Sequence, residues 1–324
     1  MARKRKRRLK IGRVIIALAI VVVIVLAVIF AVKALSPDEG NPSSSTPSQS
    51  STNSESNSSS QQVVTDDAYG AVQMSKDDIH QGDLILVNYD AHYVTDAPTD
   101  LVTVASQKID QYSVKNNELQ VREKIMEPFN RMMEDFANET GLTDVMVISA
   151  HRTVEYQQML YDNDLERTGL TYSEEVAKPG ESEHHTGLVM DLGIITADGS
   201  KFFDASGDHI WVNQNCYKYG FVVRYPESKK DITKIIHEPW HYRYVGPVHA
   251  AVMEEKGFCL EEYIDFLKDY PFEGEHLKTS VDGKEYEIYY VPAIADTVEV
   301  PIPKDKEYTI SGNNVDGFIV TAEQ

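Results

Sequence analysis

Residues 182–194 read Ser-Glu-His-His-Thr-Gly-Leu-Val-Met-Asp-Leu-Gly-Ile: two histidines, a glycine, then an apolar run broken by one carboxylate. Leu188–Ile194 has the length and hydrophobicity of a buried strand. Asp191 within it is costly unless it is paired or bound to a metal. His184 precedes Asp191 by seven residues, an odd offset that places the two on opposite faces of a continuous strand. They converge if His184 lies on a turn before Gly187, and the glycine makes that turn available.

Outward from this stretch, the chain alternates short strands and helices. Val145–Ile148 is a strand that runs into Ser149-Ala150-His151-Arg152. From about Leu119 to Glu139, Ile125, Phe129, Met132, Met133 and Phe136 recur at helical spacing, and Gly141 supplies a stop. Leu84–Val87 and Leu101–Val104 read as short strands, and Glu155–Asp162 as a helix. Trp211–Tyr219 forms a helix closed by Gly220, and Val252–Tyr270 is helical with a break at Gly257. After about Lys278 the pattern becomes β-rich: Asp282-Gly283 is a hairpin turn, and Glu285–Val291, Val298–Ile302 and Phe318–Val320 supply strands. The chain thus mixes short strands and helices, with no internal repeat.

The chain has 324 residues and a formal charge of −20 that conceals an asymmetry. Residues 1–35 hold nine Lys or Arg and no acid, leaving 22 bases against 51 acids in the remainder. The bulk of the protein therefore repels nucleic acid, which is excluded as a partner. Seven basic side chains in Met1–Lys10 precede nineteen consecutive apolar residues, Val14–Val32. That length matches the roughly 20 residues a bilayer core requires, and the basic cluster keeps the N-terminus cytoplasmic. A cleaved signal peptide is the competing reading, but the apolar run exceeds the usual length of one. Ser36–Gln62, with twelve serines in 27 residues, reads as a flexible tether. Expected organisation is thus a basic cytoplasmic segment (1–12), an anchor (13–34), a linker (35–62), a folded domain (63–272) and a β-rich segment (273–324). Cys216 and Cys259 form no metal-binding spacing and read as buried thiols, with a single disulfide as the alternative.

A second chemical stretch is Glu238-Pro239-Trp240-His241. Two imidazoles, His184 and His241, with the Asp191 carboxylate leave one position open on a tetrahedral zinc, as catalytic sites do, and free Glu238 to act as a base. Spacing alone also allows a turn histidine at 184, a capping role for Asp191 and a surface ion pair between Glu238 and His241.

Ser182-x-His184-x-x-Gly187-x-Val189-x-Asp191, followed by Glu238-Pro239-Trp240-His241-Tyr242-Arg243-Tyr244-Val245-Gly246, resembles the VanY-like zinc D-alanyl-D-alanine carboxypeptidases, a family that includes L,D-carboxypeptidases. Ser149–Thr153 and Tyr219–Pro226 extend the resemblance, which covers roughly residues 80–270. Val189 departs from the usual alanine and His151 from an aromatic such as tyrosine. The resemblance implies an α+β fold, a small, mainly antiparallel sheet flanked by helices with the metal at one edge, and the mixed short strands and helices of this chain agree with it. It implies zinc held by His184, Asp191 and His241, with Glu238 as catalytic acid and base. Arg152 is then assigned to the substrate's terminal carboxylate or to the oxyanion, and Gln157 and Ser182 to further substrate contacts. Trp240 packs beside His241 or lines the pocket.

These readings combine into a membrane-anchored, extracytoplasmic zinc D,D-carboxypeptidase that removes the terminal D-Ala of peptidoglycan stem peptides by metal-activated water. The alternatives are an L,D-carboxypeptidase or an endopeptidase of the same fold, and a non-catalytic zinc-containing wall-binding module.

Overall fold

A computed structural model describes residues 68–173 and 175–324. The basic segment, the apolar Val14–Val32 span and the serine-rich linker lie outside the described residues. Among the described residues no helix is long and apolar enough to cross a membrane.

The described chain starts with β1 (Tyr69–Ser75), β2 (Leu101–Thr103), α1 (Val104–Gln107), β3 (Ser113–Val114) and β4 (Gln120–Arg122). The long helices α2 (Met126–Thr140) and α3 (Val154–Thr168) flank β5 (Val145–Ser149). Then come β6 (Val189–Thr196), β7 (Gly199–Phe202), α4 (Ile210–Asn215), β8 (Phe221–Tyr225), α5 (Lys230–Thr233) and β9 (Glu238–Tyr244). Helices α6 (Pro247–Lys256) and α7 (Leu260–Leu267) lead into β10 (Leu277–Val281), β11 (Lys284–Pro292), β12 (Thr297–Pro303), β13 (Tyr308–Gly312) and β14 (Gly317–Glu323).

The central sheet has the order β3-β5-β6-β9-β8, with β7 folding back onto β6. Its pairings are antiparallel except the short β3–β5 contact. Alternation along β6 decides what each face does. Met190, Leu192 and Ile194 join a buried cluster with Phe129, Met132, Met133 and Phe136 of α2, so the helical methionines are core. Val189, Asp191 and Gly193 belong to the other face, where Asp191 is directly opposite His241 of β9.

Several elements differ from the sequence expectation. Leu84–Val87 is buried but joins no strand. Side chains take two of its carbonyls instead, Arg243 donating to that of Ile85 at 2.8 Å and Asn314 to that of Leu86 at 2.6 Å. The helix anticipated from Leu119 begins at Met126, because residues 120–122 pair with β2. Of the metal-ligand candidates, Asp191 and His241 occupy the central strands β6 and β9 rather than an edge, and His184 lies on the turn that leads into β6. Cys216 and Cys259 are both free and buried, and burial pushes each thiol up to about 12.

The C-terminal strands form the sheet β10-β11-β14-β13, and Asp282 and Gly283 take positive φ (52° and 78°) in the turn between β10 and β11. β11 is buried on both faces. Ile288 and Tyr290 pack with Val252, Leu260 and Ile264 of α6 and α7, whereas Tyr289 and Val291 meet Val298 and Val300 of β12. β12 in turn pairs with β1, so the first and last parts of the described chain share one core.

Gly187 ends the turn that carries His184, at φ 68°. A Cβ there would lie 2.9 Å from Arg122 Cγ and 2.9 Å from Leu101 Cδ2. Gly187→Ala is therefore expected to cost about 1–2 kcal/mol for the left-handed backbone alone, and more for the contacts it displaces. Urea denaturation checks this, and a variant as stable as the wild type contradicts it.

Candidate metal centre

Three backbone devices bring the chemical residues together. The first is a 3-10 turn, Glu183–Thr186, which lifts His184 off the strand; Ser182 Oγ accepts the His184 N–H at 3.4 Å and Gly187 closes the turn. The second is the β6–β9 register, which makes Asp191 and His241 cross-strand neighbours. The third is a bulge in β9. Val223 pairs with Tyr242 and Tyr225 with Glu238, so β9 holds two extra residues across that interval. The bulge lets Glu238 and His241, an odd three positions apart, serve one site.

Asp191 is the hub. Its Oδ2 lies 3.2 Å from His184 Nε2 and its Oδ1 2.9 Å from His241 Nδ1. One ligand atom from each of the three residues falls within 4.8 Å of the others, and all three residues are buried. The far nitrogen of His184 is committed, because Nδ1 donates to the Ala150 carbonyl at 2.6 Å. That bond leaves the Nε2 lone pair facing Asp191. Asp191 Oδ1 is buried without a hydrogen-bond partner despite its closeness to His241 Nδ1. Two nitrogens and an oxygen converging in a buried pocket fit a divalent cation that takes the place of the proton on His241 Nδ1, with three protein ligands and space for a fourth.

Glu238 Oε2 is 3.7 Å from His241 Nδ1, close to the cage yet outside the ligand triplet. Burial pushes its carboxyl up to about 7; His241 opposes the rise and Asp191 adds to it. Burial, helped by Arg152, lowers His184 to about 4, which keeps its imidazole neutral. At His241 burial works against charge, but Asp191, Glu183 and Glu238 together hold the imidazole up at about 9. Asp191 itself stays well below the usual carboxylate range, since the two histidines outweigh its desolvation.

Arg152 follows the β5 bulge at Val147–Ser149 and binds Asp191 Oδ2 at 3.0 Å. Ser149 Oγ accepts from its Nε and Nη2, and Gln157 Oε1 from its Nη1 at 3.3 Å. Gln157 is fully buried and also donates to the Ala177 carbonyl at 2.7 Å, so in this structure it braces Arg152 and the neighbouring loop. Ser182 is likewise buried and caps the His184 turn. Trp240 packs against Phe202 with ring centroids 4.8 Å apart and planes tilted by 37°, and Phe202 is 58% exposed. All eight residues singled out in the sequence, Arg152, Gln157, Ser182, His184, Asp191, Glu238, Trp240 and His241, line one cleft of about 630 Å³.

The other histidines near the site are engaged elsewhere. His185 Nδ1 faces the Arg152 carbonyl and its Nε2 accepts from Gly180 N–H, while His209 pairs with Asp144 and His237 with the Tyr225 carbonyl. Sequence reasoning passed over Glu183, which is 1% exposed. Its Oε1 accepts from Arg224 Nε at 2.8 Å and Arg243 Nη1 at 2.7 Å. The available signal was two arginines placed inside apolar strands, which demand a buried acid. Phe202, which forms the apolar wall with Trp240, also escaped notice.

The VanY family model, described as D-alanyl-D-alanine carboxypeptidase, matches residues 118–247, a range that contains every one of those eight residues. A D-alanyl-D-alanine carboxypeptidase of Enterococcus faecium is 34% identical over 252 residues, spanning 76% of this chain and 77% of that protein. The bifunctional D-Ala-D-Ala dipeptidase and carboxypeptidase VanXYC of Enterococcus gallinarum is 38% identical over 144 residues, 42% of this chain and 75% of that one. Among solved structures, the vancomycin-resistance D,D-dipeptidase VanXYg, bound to a D-Ala-D-Ala phosphinate analogue, superposes with a TM-score of 0.71 at 33% identity. That match covers 79% of this chain and 99% of the VanXYg chain. With the site residues inside the range that the family model matches, and a relative of that activity 34% identical over most of both chains, the chain belongs to the VanY family of D-alanyl-D-alanine carboxypeptidases.

Proposed function

We propose that this protein is a zinc-dependent D,D-carboxypeptidase that removes the terminal D-alanine from peptidoglycan stem peptides. The observation that carries the reading is a buried Glu238 set beside, but not within, a cage of two imidazoles and one carboxylate that opens into a cleft. A purely structural metal site has no use for such a carboxylate.

Zinc held by His184, Asp191 and His241 would supply Lewis acidity and lower the pKa of water toward about 7. Glu238 takes the proton of the attacking water and returns it to the nitrogen of the departing D-alanine. Arg152 has five N–H groups, of which four contacts to Ser149, Gln157 and Asp191 engage all but one on Nη1. That N–H and the guanidinium charge serve the terminal carboxylate or the developing oxyanion. Phe202 and Trp240 give the cleft an apolar wall. The products are free D-alanine and a peptide one residue shorter.

The seven basic residues before the nineteen-residue apolar run support an anchor with its N-terminus cytoplasmic and the catalytic domain outside, where peptidoglycan is reached.

Incubation with defined stems tests the reading. Pentapeptide ending in D-Ala-D-Ala should release D-alanine. Cleavage confined to tetrapeptide would establish L,D activity, internal fragments an endopeptidase, and no cleavage by metal-loaded protein a binding module. Glu238→Ala should retain its metal while turnover falls by about 10²–10⁴-fold; undiminished turnover would show that another base operates. His184→Ala and His241→Ala should each lower zinc content along with activity, and full occupancy in both variants contradicts the ligand set. Arg152→Ala should impair hydrolysis of substrates with a free terminal carboxylate more than that of amidated ones. An equal effect on both argues against carboxylate binding.

A further inference from the structure

We propose that Glu183 is the positioning residue for His241: its Oε2 accepts the His241 Nε2 proton and thereby leaves the Nδ1 lone pair facing the metal cage. The inference rests on the metal-centre reading and adds a residue to it.

The geometry is specific. Glu183 Oε2 lies 3.6 Å from His241 Nε2, and both atoms are buried without any hydrogen-bond partner. Leaving two such groups unpaired in a buried site is unfavourable, and at this separation a small tilt of the ring joins them. Glu183 cannot swing away, because its Oε1 is gripped by two guanidiniums that are themselves tied down. Arg224 is held by Glu261 at 2.8 and 2.7 Å. Arg243 is held by the carbonyls of Asp83 and Ile85 at 2.9 and 2.8 Å. Both arginines donate to the same Oε1, so their charges meet a carboxylate there and the oxygen that faces His241 is an acceptor.

The choice of tautomer follows. A lone pair on Nε2 would point at an anionic oxygen, whereas a proton there is welcomed. With Nε2 protonated, a neutral ring has its lone pair on Nδ1, the nitrogen 2.9 Å from Asp191 Oδ1. His184 is oriented in the opposite sense, by a neutral backbone carbonyl at its Nδ1. The two imidazoles thus present different nitrogens to the same point, one steered by a peptide group and one by a carboxylate. A carboxylate partner also raises ligand basicity, and loss of such a partner commonly weakens metal affinity by about 10–100-fold.

Glu183→Gln separates this role from packing. Its amide is the same size but can turn an NH₂ toward His241, which favours a lone pair on Nε2 and a proton on Nδ1. Zinc affinity, measured by competition with a chromophoric chelator, should weaken by about 10–100-fold in this variant. Glu261→Gln loosens the same Arg224 without facing His241, and should leave zinc affinity within twofold of the wild type while lowering thermal stability. Nitrogen-15 NMR of histidine-labelled, zinc-loaded wild type should show His241 protonated at Nε2 and bound through Nδ1. This readout stands even if Glu183→Gln fails to fold. Unchanged affinity in folded Glu183→Gln, an equal loss in Glu261→Gln, or His241 bound through Nε2 would each overturn the inference while leaving the metal centre intact. A wild type that binds no zinc would overturn the metal centre itself, and this inference with it.

Discussion

The site depends on a single constraint, the antiparallel register that sets Asp191 of β6 directly opposite His241 of β9. Side-chain alternation makes that register all-or-none. Slipping either strand by one residue would send its ligand to the face packed by Phe129, Met132 and Phe136, and bring an apolar neighbour into the cleft. The same alternation that buries Met190 and Leu192 against α2 therefore aims Asp191 at the metal position. Core packing and site geometry cannot be varied independently.

Charge balance is the second requirement. Glu183, Asp191 and Glu238 bring three carboxylates into a buried region, and Arg152, Arg224 and Arg243 meet them unevenly. Glu183 is neutralised by two guanidiniums and Asp191 shares one, but Glu238 has none in contact and is pushed toward its protonated form. Two acids of identical chemistry are thus assigned opposite states by their surroundings, one fixed as an anion and one poised to exchange a proton. Replacing one member of such a cluster strands its partners in a medium where unpaired charge is costly.

How much of this could be read in the sequence follows from the range of the interactions. Asp191 was legible because a carboxylate inside an apolar strand is a local anomaly, and His184 because Gly187 offered the turn that its odd offset needed. Spacing suggested the partnership of Glu238 with His241 but allowed a surface ion pair equally well, and the family resemblance decided between them. Three residues apart on a regular strand they face opposite ways, and the β9 bulge that reunites them leaves no local mark. Leu84–Val87 misled because its composition is that of a strand, while two of its carbonyls are taken by Arg243 and Asn314, more than a hundred residues away. Gln157 and Ser182 were anticipated at the site and are there, though each has its polar atoms engaged in holding Arg152 or the His184 turn.

Chemistry in this cleft is a matter of which atoms face a common point. The most direct measurement is a crystal structure of the zinc-loaded protein with anomalous diffraction collected at the zinc edge. It should place one ion about 2.0–2.2 Å from His184 Nε2, His241 Nδ1 and an Asp191 oxygen, with Glu238 outside the coordination sphere. An ion bound elsewhere, or one ligated by Glu238 in place of Asp191, would contradict the account.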